Sequence, residues 1–143
     1  MRRNKLALYV HLVWATWDRE PLITPDIERR LQRNIESEAR DMGCVVHALN
    51  GTEDHLHLLV GIPTTISMAD LTKQVKGVSS RFVNDALKPG YYFKWQGSYG
   101  AFTVSYSDLD NVIDYINRQK EHHRSGHLAL EWEETFEEFD AVP

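Results

Sequence analysis

The seven residues Asp54-His55-Leu56-His57-Leu58-Leu59-Val60 place the tightest limit on how this chain folds. Side chains of an extended strand alternate between faces, so His55 and His57 point one way while Leu56, Leu58 and Val60 point the other. A strand with an apolar back and two imidazoles in front belongs in a sheet that is covered on one side. On that front, two neutral imidazoles side by side can supply two neighbouring ligands to a divalent cation. A second stretch, Asp114-Tyr115-Ile116-Asn117-Arg118-Gln119, reads as helix. Tyr115 and Gln119 are one turn apart there and share a surface, which sets a phenol beside a third potential ligand.

The remaining segments arrange themselves around these two. Leu6 to Thr16 is apolar, β-branched and aromatic on both faces, as a central strand requires, with His11 its only ionisable member. His11 and His47 read as structural. Trp17 to Pro21 is a turn. Thr24 serves as N-cap and Pro25 as first residue of a helix whose Ile27, Leu31, Ile35 and Ala39 recur at helical spacing until Gly43. Cys44 to Leu49 is a second strand. Asn50-Gly51 suggests a hairpin turn, which Thr52 to Asp54 could lengthen.

Ser67, with Asp70 three residues on, opens a long helix with Leu71, Val75, Val78 and Phe82 as its buried stripe. Lys73, Lys76, Ser80 and Asn84 fall opposite, with Arg81 at the flank. An aromatic stretch, Tyr91 to Tyr99, leads into a strand at Ala101 to Ser105. Ser107 caps a last helix with a core stripe of Leu109, Val112, Ile113 and Ile116; Tyr115, Gln119 and His122 form a separate stripe. The order β-α-β-β-α-β-α is α+β. Its first six elements spell a ferredoxin-like split βαβ sandwich: a four-stranded antiparallel sheet with helices on one face, plus a C-terminal helix. The other face is expected to stay free for a site.

A length of 143 residues suits one domain, taken as 1–130, followed by an acidic tail at 131–143. The net charge of −5 speaks against nucleic acid as a partner, but Glu131 to Asp140 holds six carboxylates and no cation. The rest of the chain then carries 16 basic side chains against 15 acidic ones. A single cysteine, Cys44, excludes a disulfide framework and fits a reducing compartment. No apolar run reaches membrane-spanning length, and the basic start at Met1 to Lys5 is not followed by a signal-type apolar core. A cytoplasmic protein is expected.

Five blocks resemble the single-tyrosine HUH transposases, the small transposases of bacterial and archaeal insertion sequences and their relatives at repetitive extragenic palindromes. The blocks are Tyr9–Trp14, Asp54–Val60, Val75–Arg81, Trp95–Ser105 and Tyr115–His123, in the family's order. The resemblance implies that His55, His57 and Gln119 ligate Mg²⁺ or Mn²⁺ and that Tyr115 is the nucleophile. It further implies a homodimer in which one subunit's tyrosine helix can serve the other's histidines, and DNA with hairpin ends as the substrate. The turn Trp17 to Glu20 is less basic than the family's, and the acidic tail is a second departure; both bear on DNA affinity rather than on chemistry.

The chemistry also follows from the residue types. A phosphodiester is anionic and resists attack, so a cation held by neutral imidazoles and an amide oxygen is well suited to neutralise it. A tyrosine nucleophile conserves the bond energy as a 5′-phosphotyrosine, so no ATP is needed, and no Gly-rich phosphate loop is present. The expected activity is cleavage and rejoining of single-stranded DNA at element ends after hairpin recognition. Lys73, Lys76, Arg81 and Arg118 are candidate DNA contacts, and Tyr91, Tyr92, Phe93 and Trp95 could stack on unpaired bases. His122, His123, Arg2, Arg3 and Lys5 are further groups that could approach phosphate. Asp54 could orient an imidazole.

Two other functions fit parts of the pattern. A domesticated relative would bind hairpin DNA without transposition. A nucleotide hydrolase of the histidine-triad type would need a third histidine two positions past His57, where Leu59 stands.

Overall fold

Strands β1 (Tyr9–Ala15), β2 (Val45–Gly51), β3 (His55–Gly61) and β4 (Gly100–Val104) form one antiparallel sheet in the order β2-β3-β1-β4. The structure is a computed structural model describing residues 4–121. Helices α1 (Pro25–Asp41), α2 (Met68–Phe82) and α3 (Leu109–Asn117) complete the split βαβ arrangement. The expected architecture is therefore the observed one. The tail at 131–143, with His122, His123, Arg2 and Arg3, lies outside the described residues.

The larger core lies between the sheet and the helices α1 and α2. Leu12, Trp14, Leu56, Leu58 and Val60 from the sheet meet Ile27, Leu31 and Ile35 of α1 and Leu71 and Val75 of α2. Burial of each such side chain contributes about 1.5–3 kcal/mol, which fixes which face of β3 turns inward. Phe93 and Trp95 are buried in this same core. The Trp95 indole donates to Ser79 Oγ at 2.9 Å, and the Tyr91 hydroxyl donates to the Leu22 carbonyl at 2.6 Å. Of the four aromatic candidates for stacking on bases, Tyr92 alone is exposed, at 74 %.

The opposite face of the sheet is not left open. Ala48, Leu59 and Val104 carry a second, smaller cluster against Val112, Tyr115 and Ile116 of α3. Tyr115 is thus packed with the helix's apolar residues and not on a separate stripe. A large ring at the edge of an apolar face buries more surface by leaning onto it than by standing apart.

Other local expectations shift for identifiable reasons. Asn50 and Gly51 belong to β2, paired with His57 and Leu56, and the reversal falls at Thr52 to Asp54. Gly51 is needed there because a Cβ would lie 2.1 Å from the His55 carbonyl oxygen. Ser67 does cap α2, accepting from the Asp70 N–H at 3.0 Å. Ser107 does not cap α3: it lies within a 3₁₀ turn at Tyr106–Asp108 and hydrogen-bonds Ser105. On α2 the inward stripe holds Thr72 and Ser79 beside Leu71 and Val75, while Val78 and Phe82 are only half-buried. The helix runs on into a π-helical stretch, Val83–Leu87, which buries Val83 instead.

Candidate functional site

The register of the sheet builds the site. Val13 of β1 faces His57 and Ala15 faces His55, so both imidazoles stand on the face that carries α3. Their rings are 5.1 Å apart, centroid to centroid, and both residues are at most 1 % exposed. The Tyr115 ring meets the His57 ring edge-on, with centroids 6.0 Å apart. The strand pair and the helix residue expected to meet are therefore neighbours within one chain.

Each imidazole is held through Nδ1. Asp54 Oδ1 lies 2.7 Å from His55 Nδ1, and Thr52 Oγ1 lies 2.9 Å from the same nitrogen. Burial raises the Asp54 carboxyl's pKa, but the hydrogen bond and charge of His55, together with Arg19 and Thr52, outweigh it and hold the group below its ordinary value. An ionised Asp54 can only accept, so in neutral His55 the proton sits on Nδ1 and Nε2 is the nitrogen that keeps its lone pair. His57 Nδ1 is 2.8 Å from His11 Nε2. His11, read from the sequence as structural, is thus a direct partner of the site. Its one sequence signal was being the lone ionisable residue of an otherwise apolar strand.

Arg19 was also missed. It stands in the turn after β1 with φ 49°, next to Asp18 at φ 53°. That left-handed backbone is costly for residues with a Cβ. The turn is tied to the residue just before β3 by the Thr16 N–H, which donates to the Asp54 carbonyl at 2.8 Å. The Arg19 guanidinium then reaches Asp54 Oδ1 at 3.5 Å and His55 Nδ1 at 3.4 Å. The turn's single cation is spent on supporting the carboxylate.

Gln119 is fully buried, although α3 ends at Asn117 and a separate helical turn begins after Arg118. Its amide nitrogen lies 3.4 Å from the Tyr115 carbonyl, a weak contact that directs the carboxamide back along the helix. The segment is moored to the neighbouring strand. Asn50 Nδ2 donates to the Asn117 carbonyl at 3.1 Å, and Lys120 Nζ donates to Asn50 Oδ1 and the Gly51 carbonyl, each at 3.1 Å. Lys120 also pairs with Glu28 of α1 at 3.0 Å.

These residues fit a divalent metal. Two imidazoles with their Nδ1 atoms engaged elsewhere, side by side on one strand face, offer Nε2 as the ligating atom. Among the described residues no three His, Cys, Asp or Glu side chains converge on a cation. A third ligand drawn from the described residues would therefore be of another type, and a carboxamide oxygen qualifies.

The candidate DNA contacts are dispersed. Lys73 and Lys76 line a groove of about 350 Å³ between α2 and the segment 92–99, with Lys94, Tyr92 and Tyr99. Lys76 Nζ donates to the carbonyls of Gln96 at 2.5 Å and Ser98 at 3.2 Å, so it also anchors that segment. Asn84 does the same for Phe93, bonding both its N–H and its carbonyl. Arg81 is exposed at the end of α2. Arg118 is exposed and pairs with Asp114 at 3.5 Å. No described helix is long and apolar enough to cross a membrane.

Comparison with known proteins agrees with this architecture. The chain is 28% identical over 119 residues to the ISDra2 transposase TnpA of Deinococcus radiodurans, covering 78% of this chain and 84% of that protein. A crystal structure described as a transposase of Deinococcus radiodurans R1 superposes with a TM-score of 0.63 at 28% identity, covering 83% of this chain and 96% of that one. A REP-associated tyrosine transposase bound to a REP hairpin shares the fold with a TM-score of 0.62 at 14% identity, over 90% of this chain and 75% of that one. Residues 4–119 match the family described as Transposase IS200 like, and the chain belongs to that family of transposases.

Proposed function

We propose that this transposase is metal-dependent, recognises hairpins in single-stranded DNA, and cleaves and rejoins that DNA through a 5′-phosphotyrosine on Tyr115. The observation that carries the reading is the edge contact of the Tyr115 and His57 rings beside the His55/His57 pair. It brings a nucleophile type and a ligand pair into one site within one chain.

His55 Nε2, His57 Nε2 and the Gln119 carboxamide oxygen would hold Mg²⁺ or Mn²⁺, which when bound supplies positive charge to neutralise a non-bridging phosphate oxygen. The phenol of Tyr115 loses its proton as its oxygen bonds to phosphorus. The bond from phosphorus to the 3′-oxygen of the preceding nucleotide breaks, and that oxygen takes up a proton as a free 3′-hydroxyl. Rejoining is the reverse: a 3′-hydroxyl attacks the phosphotyrosine and Tyr115 leaves.

Lys73, Lys76, Arg81 and Arg118 are proposed backbone contacts, with Tyr92 beside Lys73 and Lys76 as the residue that stacks on an unpaired base. The hairpin substrate is suggested by the REP-associated neighbour, which was solved with a hairpin bound. A homodimer in the cytoplasm of a bacterium or archaeon completes the reading, and the contact of Tyr115 with its own chain's His57 favours a tyrosine acting in cis.

The test is incubation of the protein and Mn²⁺ with an element end supplied as single strand or as duplex. A denaturation-resistant protein–DNA adduct with the single strand alone is expected. Hairpin binding without adduct would identify a DNA-binding protein without transposition, and neither outcome with any hairpin would end the proposal.

A further inference from the structure

We propose that His11 is a positioning residue: its Nε2 can accept the Nδ1 proton of His57 and so permits the tautomer in which His57 Nε2 ligates a metal. The inference rests on the paired-imidazole site of the proposed function, and it concerns a residue on a different strand.

His11 and His57 are diagonal neighbours on one face of the sheet, since His11 pairs with Leu59 and Val13 with His57. Both are fully buried, and His11 Nε2 lies 2.8 Å from His57 Nδ1 with ring centroids 5.0 Å apart. Such a bond holds one proton, which can sit on either nitrogen. If His11 Nε2 keeps it, His57 Nδ1 accepts, and neutral His57 must carry its own proton on Nε2. That proton occupies the lone pair a metal would need. If His57 Nδ1 keeps the proton, Nε2 is open. Only the second arrangement permits ligation, so residue 11 must be able to accept.

The two ligands are therefore set in different ways. His55 faces the Asp54 carboxylate, an acceptor by charge, so a neutral His55 keeps its proton on Nδ1 before any ligand arrives. His57 faces a second imidazole, which when neutral can either donate or accept, so the His57 tautomer is left to shift when a cation binds. An apolar residue at position 11 would fill the space beside Phe102 but could not receive the proton.

The experiment uses the full chain with Mn²⁺ or Mg²⁺ alone as the probe. Mn²⁺ affinity is measured for the unmodified protein, His11→Leu, His11→Gln and His57→Ala, with thermal melts in EDTA to check folding. His11→Leu is expected to weaken Mn²⁺ binding about 10-fold or more, the usual effect of removing an outer partner of a ligating histidine. His11→Gln, whose carboxamide oxygen can accept, is expected to restore most of it. In the Mg²⁺-loaded unmodified protein, heteronuclear NMR should find the shared proton on His57 Nδ1, which needs no variant. Equal affinity in His11→Leu, no recovery in His11→Gln, or a proton on His11 Nε2 in the Mg²⁺ form would each overturn the assignment. Mn²⁺ binding that is absent from the unmodified protein, or undiminished in His57→Ala, would instead remove the metal site itself and the inference with it.

Discussion

The ring of Tyr115 stands at 78° to the ring of His57, its centroid 6.0 Å away, so a helix residue and a central-strand residue share one buried surface. Tyr115→Phe keeps that ring packing and should change stability by less than about 1 kcal/mol. It should abolish the covalent protein–DNA adduct while leaving hairpin binding unchanged, as read by denaturing gels beside a mobility-shift assay. Tyr115→Ala, by contrast, should cost about 3 kcal/mol of stability by opening a cavity against Leu59 and Val112.

Asp54 is predicted to act through His55. Asp54→Asn removes the charge that fixes the His55 proton on Nδ1 and leaves Arg19 without its acidic partner. Mn²⁺ affinity should drop by about 10- to 100-fold with little change in melting temperature. Calorimetric titration showing unchanged affinity would remove Asp54 from the site.

Gly51 is held to its identity by space. The added Cβ of Gly51→Ala would press on the His55 carbonyl and on Leu56, both part of the strand that carries the histidines. A loss of about 3 kcal/mol in denaturant unfolding is expected, the upper end of ordinary overpacking costs. A neutral result would mean that the reversal at Thr52 to Asp54 can reshape itself.

Lys120 moors the segment after α3 to Asn50, Gly51 and Glu28. Its side chain is 46 % exposed, so Lys120→Ala should cost no more than about 1 kcal/mol globally. Locally the effect should be larger: amide hydrogens of Arg118 to Glu121 should exchange faster than in the parent, while those of β1 and β3 do not change.

Cys44 offers a pH test of the core. Burial pushes its thiol pKa above the ordinary value, so folding favours the neutral thiol. That contribution is complete below the unfolded thiol's pKa and is lost as pH rises through the folded one. The parent should therefore lose melting temperature in alkaline buffer faster than Cys44→Ala, and its thiol should react slowly with alkylating reagents until the protein unfolds. Parallel alkaline slopes for the two proteins would show that the thiol does not titrate on unfolding.

Much of the arrangement was legible in the chain because it depends on short-range periodicity. The alternation from His55 to Val60 determined which side chains of β3 face the helices, and the helical spacing of Ile27, Leu31, Ile35 and Ala39 determined the inner face of α1. The element order then determined the sheet topology, since a split βαβ unit leaves few ways to pair four strands. Pairing across chain distance was the part that residue types could not supply. That His11 meets His57 depends on a diagonal between two strands 46 residues apart, and that Arg19 reaches Asp54 depends on two left-handed residues in a turn. Whether Tyr115 stood apart from the apolar stripe or leaned onto it was likewise a matter of packing: the free face of the sheet had to be covered, and α3 was the element left to cover it.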